Sequence, residues 1–384
     1  MHLSRVELRH FRNLGRQELE LPPEGVAIVG ANAQGKSNLL EAIYYLETFR
    51  SFRGARDAQL VAFGQDVFRV EGSLDVGADG ATPDGRRGAR IAAAYERRRR
   101  RKKVTVDGTE PDRLGDALGR LGAVVFSPAD VALVSEGPSE RRRFLDIVLS
   151  LNVKGYLRAL QLFRQVLSQR NATLKEDDSG AVVRAWDAQL VRSGAEVMAT
   201  RRRWVADRSE AFERYYDTIS GGATARMRYR PNVEPSGGDA DGPEAVEQTA
   251  AAYREALAAS AETERRMRTT MVGPQRDDLA LTLEGDERDL DVRDYGSGGQ
   301  RRTAALALRL VEAATIRDAR GREPLVLMDD VFAELDPSRS ERILHLIERE
   351  ETGQVILTAP KESDVRIRRD TLPRWRIEGG RIER

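Results

Sequence analysis

The chain changes texture twice along its length. Over the first third, apolar residues come in short runs or alternate with polar ones, the period of strands. This predicts strands at residues 4–8, 17–21 and 26–29, and an antiparallel group at 67–76, 90–96 and 104–106, with a turn at Asp107 and Gly108. Between residues 139 and 216 the apolar positions move to helical spacing: Phe144, Ile147, Val148 and Leu151, then Leu157, Leu160, Leu162, Phe163 and Leu167. An interruption at 171–180 divides this stretch, so two or more long helices packed as an arm or hairpin are expected, with another at 243–267. The last third alternates again: a strand at 279–283, a helix at 300–319, a strand at 325–328, a helix at 338–350 and a strand at 354–358. Strands alternating with helices predict an α/β sandwich with a mostly parallel sheet. Residues 77–90 and 231–243, rich in Gly, Asp, Pro or Arg, read as loops. No internal repeat is visible.

Length agrees with this reading. A chain of 384 residues exceeds one ordinary compact domain, so two lobes or a core with a large insertion are expected. Charged residues make up 33%, which suits long solvated helices. No run of 18 apolar residues occurs, and residues 1–12 read as a strand, so neither a membrane span nor a signal peptide is expected. Cysteine is absent, which excludes disulfides and thiol chemistry and fits a cytoplasmic chain. His2, His10 and His345 are too scattered for a zinc cluster.

The net charge of +1 is silent about partners, but the distribution is not. Arg97, Arg98, Arg99, Arg100, Arg101, Lys102 and Lys103 are consecutive. Arg141, Arg142 and Arg143 form a second cluster, Arg201, Arg202 and Arg203 a third, and residues 366–384 carry seven Arg against three acids. Such clusters are what phosphate binding needs, and equally what solvated surfaces carry.

Three motifs carry chemistry. Gly30, Ala31, Asn32, Ala33, Gln34, Gly35, Lys36 and Ser37 fit G-x-x-x-x-G-K-[ST], with an apolar strand before and a helix beginning near Asn38 after. The glycines let backbone N–H groups wrap phosphates at a helix N-terminus; Lys36 reaches the β- and γ-phosphates and Ser37 offers its hydroxyl to Mg²⁺. The strand at 325–328 ends in Asp329 and Asp330; one acid is expected to hold Mg²⁺ and the other to orient the attacking water. Between them, Ser297, Gly298, Gly299 and Gln300 precede an apolar helix, presenting a hydroxyl and several N–H groups to an anion.

In order and type these motifs resemble the Walker A, signature and Walker B elements of ATP-binding cassette ATPases, with Glu334, Leu335 and Asp336 similar to the D-loop. Gly30 and Ser297 lie 267 residues apart, too far for a transporter cassette and, without sustained heptads, too near for a coiled-coil SMC arm. An intermediate, mainly helical insertion points to the RecF family. Leu8 to Leu14, which contains Arg12 and Asn13, is similar to that family's N-terminal strand motif. Ser51-Phe52-Arg53, the block from Phe126 to Asp146, and Gly273-Pro274-Gln275-Arg276-Asp277-Asp278-Leu279 also resemble family segments. Gln275 stands where the family usually has His, and Thr358 where transporters carry a switch His.

The resemblance implies an ATPase head, a mixed α/β lobe I, with a helical lobe II inserted between Walker A and signature: residues 1–138, 139–270 and 271–384. It implies ATP bound by residues 30–38 with Arg12 and Asn13, Mg²⁺ on Ser37 and Asp329, and catalysis by Asp330, Asp329, Lys36 and Ser297, the last reaching across a dimer. It further implies a cytoplasmic, nucleoid-associated repair protein without membrane partners. Such a protein dimerises on ATP, clamps DNA near single-strand gaps, hydrolyses ATP slowly when DNA is present, and helps RecO/RecR-type mediators load the recombinase. Arg97 to Lys103, Arg141 and Arg142 are the DNA-contact candidates. Two rivals stay open: a transporter-type ATPase subunit, and a binding protein that only senses nucleotide.

Overall fold

The computed structural model describes residues 2–75, 88–176, 180–235, 242–285, 288–334, 336–349, 353–365 and 372–384. The strands are β1 (His2–Arg9), β2 (Gln17–Glu20), β3 (Gly25–Val29), β4 (Val67–Asp75), β5 (Gly88–Glu96), β6 (Arg101–Val106) and β7 (Ala123–Phe126) in the first part. Then come β8 (Ala225–Arg230), β9 (Asp278–Leu283) and β10 (Leu290–Asp291), and finally β11 (Leu325–Asp329), β12 (Val355–Ala359), β13 (Arg374–Glu378) and β14 (Arg381–Glu383). The longer helices are α1 (Lys36–Thr48), α2 (Pro138–Asn152), α3 (Tyr156–Glu176), α4 (Ala181–Ser220), α5 (Gly242–Met267), α6 (Gly298–Arg320) and α7 (Pro337–Arg349).

Two compact units emerge: residues 1–130 with 312–384, and residues 131–311. The first holds two sheets. One is antiparallel, in the order β2-β1-β4-β5-β6; the other, β14-β13-β3-β12-β11-β7, is parallel except for the β13–β14 hairpin. All five residues of β3, β11 and β12 are buried, which is why those segments read as continuous apolar runs. The antiparallel strands bury alternate residues, such as Val6 and Leu8 on β1 and Phe68 and Val70 on β4. Helix α1 packs against strands of both sheets, and Phe11, Tyr45 and Phe68 meet edge to face, with Phe68 5.1 Å from Phe11 and 5.3 Å from Tyr45.

The second unit carries α2 to α5, the sheet β10-β9-β8 and the start of α6. At 40 residues, α4 is about 60 Å long. Around it lies a buried ionic network. Arg201 donates to Asp146 at 2.8 Å, to Asp277 at 3.0 Å and to the Tyr156 hydroxyl at 3.0 Å. Asp277 also accepts from the Tyr229 hydroxyl and, at 2.8 Å, from the Asn232 N–H. Its neighbour Asp278 takes both nitrogens of a fork from Arg141, at 2.8 and 2.9 Å. The paired acids of the 273–279 block thus serve architecture, each compensating a buried arginine.

Several sequence boundaries move. The cut expected at 270 falls instead at 311, because β9 pairs antiparallel with β8 and cannot be separated from the helical unit. The cut expected at 138 falls at 130. The interruption expected at 171–180 is shorter, since α3 continues through Asn171 to Glu176. Arg141, expected on a DNA-facing surface, is 4% exposed, and Arg201 is 2% exposed. The loop candidate 77–90 lies largely outside the described residues, as do 236–241 of the second.

Candidate nucleotide site

The loop from Gly30 to Ser37 joins β3 to α1. Two of its glycines are sterically required. A Cβ at Gly30 would lie 2.5 Å from the Ile377 carbonyl oxygen, and Gly35, at φ +115°, would place one 2.7 Å from Asn13 Oδ1. Lys36 is buried, and its ammonium donates to the carbonyls of Gly30 at 2.8 Å and Ala31 at 3.3 Å, with Asp330 Oδ2 at 3.7 Å. Ser37 Oγ donates to Asp329 Oδ1 at 2.7 Å, across 292 residues of chain. Hydroxyl and carboxylate oxygens in contact form a hard donor set that fits Mg²⁺. Among the described residues no cluster of three or more His or acidic side chains could hold a metal alone, so phosphate and water oxygens have to complete the shell.

Strand order explains a third member. Because β12 lies between β3 and β11, its Thr358 is paired with Asp329 in the register. Thr358 Oγ1 lies 3.1 Å from Asp329 Oδ1 and 3.3 Å from Asp330 Oδ1, and accepts the Asp330 N–H at 3.1 Å. Burial pushes the Asp329 carboxyl above its ordinary value, and the hydroxyls of Ser37 and Thr358 pull the other way.

The rim is a hydrogen-bonded chain. Asn13 Nδ2 donates to the Gln34 carbonyl at 3.0 Å, Asn38 to Asn13 at 2.8 Å, and Arg53 to Asn38 at 3.1 Å. Arg12 is engaged behind it, forked onto the fully buried Glu41 of α1 at 2.9 and 3.0 Å. The turn between β13 and β14 closes the other side: the N–H groups of Gly379 and Gly380 donate to Gln34 Oε1 at 2.6 Å and to its carbonyl at 2.9 Å. In the sequence, residues 366–384 show as a charge cluster. Alternating Trp375 and Ile377, followed by Gly-Gly, was a hairpin signal.

Ser297, Gly298, Gly299 and Gln300 belong to the second unit and start α6. Ser297 Oγ accepts the Gln300 N–H at 3.2 Å while Gln300 Oε1 accepts the Ser297 N–H at 2.7 Å, a reciprocal capping box. Ser297 and Gly298 are exposed. Of the D-loop candidates, Glu334 ends a 3₁₀ turn and Leu335 lies outside the described residues. Asp336 accepts from the Arg339 N–H at 3.0 Å and Ser338 Oγ at 2.7 Å, which hold its carboxyl below the ordinary value.

The basic run splits. Arg97 donates to the Val61 carbonyl at 2.9 Å and Lys102 pairs with Asp57 at 2.9 Å, so both are tied into the fold. Arg98, Arg99, Arg100, Arg101 and Lys103 are exposed. Arg142, half-buried, donates to the Asp277 carbonyl at 2.7 Å.

Residues 2–374 match the RecF/RecN/SMC N-terminal domain model. The DNA replication and repair protein RecF of Synechococcus sp. (strain JA-3-3Ab) is 38% identical over 369 residues, covering 93% of this chain and 91% of its own. That of Synechocystis sp. (strain ATCC 27184 / PCC 6803 / Kazusa) is 36% identical, covering 100% and 98%. A solved structure of the recombination mediator protein RecF with ATP, from the RecFOR pathway, superposes with a TM-score of 0.85 at 30% identity, covering 100% of this chain and 97% of that one. The Smc head domain of Pyrococcus furiosus shares the fold, with a TM-score of 0.56 at 17% identity. The α/β head built on a P-loop, the helical insertion and the whole-length likeness agree: this chain belongs to the RecF family of ATP-binding cassette ATPases.

Proposed function

We propose that this chain is an ATP-dependent DNA repair protein that dimerises around two nucleotides, clamps DNA at single-strand gaps and lets go on slow, DNA-stimulated hydrolysis. In this reading it works with RecO/RecR-type mediators that load the recombinase. The observation that carries the ATPase part is the Ser37–Asp329 contact, which joins the P-loop to the acid-ended strand. The 30% identity to ATP-bound RecF over the full chain supports the DNA part.

Residues 30–38 wrap the phosphates, Lys36 neutralises their charge, and Ser37 and Asp329 hold Mg²⁺. Held there, Mg²⁺ would supply positive charge against the negative charge that develops on the phosphate. Asp330 orients the attacking water and accepts its proton, with Thr358 fixing its backbone. Ser297, Gly298, Gly299 and Gln300 of a second copy close over the γ-phosphate, and Asp336 of the D-loop segment faces the junction between copies. Nucleotide binding and dimerisation are then linked, and hydrolysis removes the bridge.

Sedimentation with and without ATP and gapped duplex tests this reading. A dimer is expected with ATP, and a dimer–DNA complex when both are present. A monomer under all conditions overturns the clamp. Lys36→Ala is expected to abolish nucleotide binding in a titration; undiminished affinity removes the P-loop assignment.

A further inference from the structure

Phe63 has a relative exposure of 101%, the highest of the exposed large apolar side chains among the described residues. It sits at the tip of a β-turn, closed by the Gln65 N–H donating to the Ala62 carbonyl at 3.1 Å. Gly64, at φ +77°, takes the left-handed place that type II turns reserve for glycine. Single exposed apolar residues are ordinary on protein surfaces. What distinguishes this one is where the backbone pins it. The Ala62 N–H donates to the His10 carbonyl at 2.9 Å, next to Arg9 at the end of β1. On the other side, Arg97 donates from its backbone to the Asp66 carbonyl at 2.8 Å and from its side chain to the Val61 carbonyl at 2.9 Å. The tip is therefore fastened between Arg9 and the turn of Arg97, Arg98, Arg99 and Arg100.

The register adds a cationic row. Arg9 pairs with Arg69, Arg69 with Ala94, and Ala94 with Lys103, so these four lie side by side across β1, β4, β5 and β6. Their neighbours Leu8, Phe68, Ala93 and Val104 are buried, which turns the row to the sheet's outer face. With strands about 4.8 Å apart, the row spans roughly 15 Å, the scale of several backbone phosphates. Arg69 pairs with Glu71 at 2.6 Å and Lys103 with Glu110 at 2.8 Å. The Lys103–Glu110 pair is exposed and of the weak kind that gives way to a phosphate, whereas Glu71 is buried and anchors the Arg69 side chain.

A row of cations, with an exposed ring on the turn pinned next to its Arg9 end, combines the two features with which proteins hold unpaired nucleic acid: charge along the backbone and an aromatic face for a base. We propose that Phe63 stacks on an unpaired base of DNA whose adjoining backbone runs over Arg9, Arg69 and Lys103. This rests on the DNA-binding reading above and deepens it: the turn is what tells a gapped duplex from an intact one.

The test compares wild type, Phe63→Ala and Phe63→Trp with ATP, on a blunt duplex and a gapped duplex of equal phosphate count. Anisotropy gives affinity, and 2-aminopurine in the unpaired strand reports stacking. The expected result is that Phe63→Ala loses about tenfold in affinity for gapped DNA and the 2-aminopurine signal, keeps its blunt-duplex affinity, and is rescued by Phe63→Trp. Wild-type affinity and stacking in Phe63→Ala, with duplex binding intact, overturn the proposal and leave the DNA reading standing. Absence of binding to either DNA by wild type overturns that reading as well. A change in oligomeric state at constant DNA affinity assigns the turn to a second copy of the chain and also overturns the proposal.

Discussion

Asp330 holds its backbone at φ +46°, a left-handed conformation uncommon for non-glycine residues, though Asp tolerates it better than most, and one its surroundings help to impose. Thr358 supplies part of that imposition by accepting the Asp330 N–H and placing its hydroxyl near both carboxylates. Thr358→Val keeps the shape and removes the acceptor. It is expected to leave ATP affinity within about threefold and to lower turnover about tenfold or more, with Thr358→Ser restoring it. Titration and steady-state kinetics check this; a valine variant with normal turnover removes Thr358 from the site. The P-loop and the paired acids were legible from sequence because each is a contiguous pattern. Thr358 showed only as a missing histidine, since its role follows from β12 lying between β3 and β11, a fact of strand order.

Among the elements, the β13–β14 hairpin bears on the site through two N–H groups on Gln34. Gly380 is held at φ +83°, and a Cβ there would come 2.2 Å from the Asn13 carbonyl oxygen, a backbone atom that cannot yield. Gly380→Ala is thus expected to push the turn off the loop and weaken ATP binding about tenfold, read by titration. Unchanged affinity separates the hairpin from the nucleotide. In the helical unit, Asp277→Ala leaves the Arg201 guanidinium buried with one partner fewer. A loss of roughly 3 kcal/mol or more is expected, seen as a lowered denaturation midpoint. A midpoint equal to wild type places the charge balance elsewhere. Element types were mostly readable, because α3, α4 and the buried strands carry strong periods. The misses include β8 and β13, short strands whose exposed faces are arginine-rich and read as charge, and the strands β7, β10 and β14, of two to four residues, too short to show a period. The acids of residues 277 and 278 could be matched to a family block, but their partners Arg201 and Arg141 come from elements far away in sequence and no local pattern pairs them.

For the molecule as a whole, the proposed clamp makes two copies necessary for one reaction. Ser297→Arg puts a bulky cation at an exposed helix start in the unit that lacks the P-loop. It is expected to leave ATP binding by the monomer intact while abolishing the ATP-dependent dimer in light scattering. A persisting dimer sinks the idea that the signature acts between copies. Replacing Arg98, Arg99, Arg100 and Arg101 by Gln is expected to weaken DNA binding and flatten its salt dependence by up to one unit of slope per lost phosphate contact. An unchanged slope returns that turn to the solvated surface.

The position of β3 has a consequence for how the chain comes into being. Strand β3, at residues 25–29, is hydrogen-bonded between β12 and β13, which lie beyond residue 354. At ordinary synthesis rates of about 5–20 residues per second, its flanking strands leave the ribosome roughly 20–70 s after it does. Over that interval the apolar strand that precedes the P-loop lacks both of its strand partners, while residues 131–311 emerge and can fold. The nucleotide loop is among the first motifs translated and the last to be framed, since β3 gains both of its flanking strands only once β13 has been made.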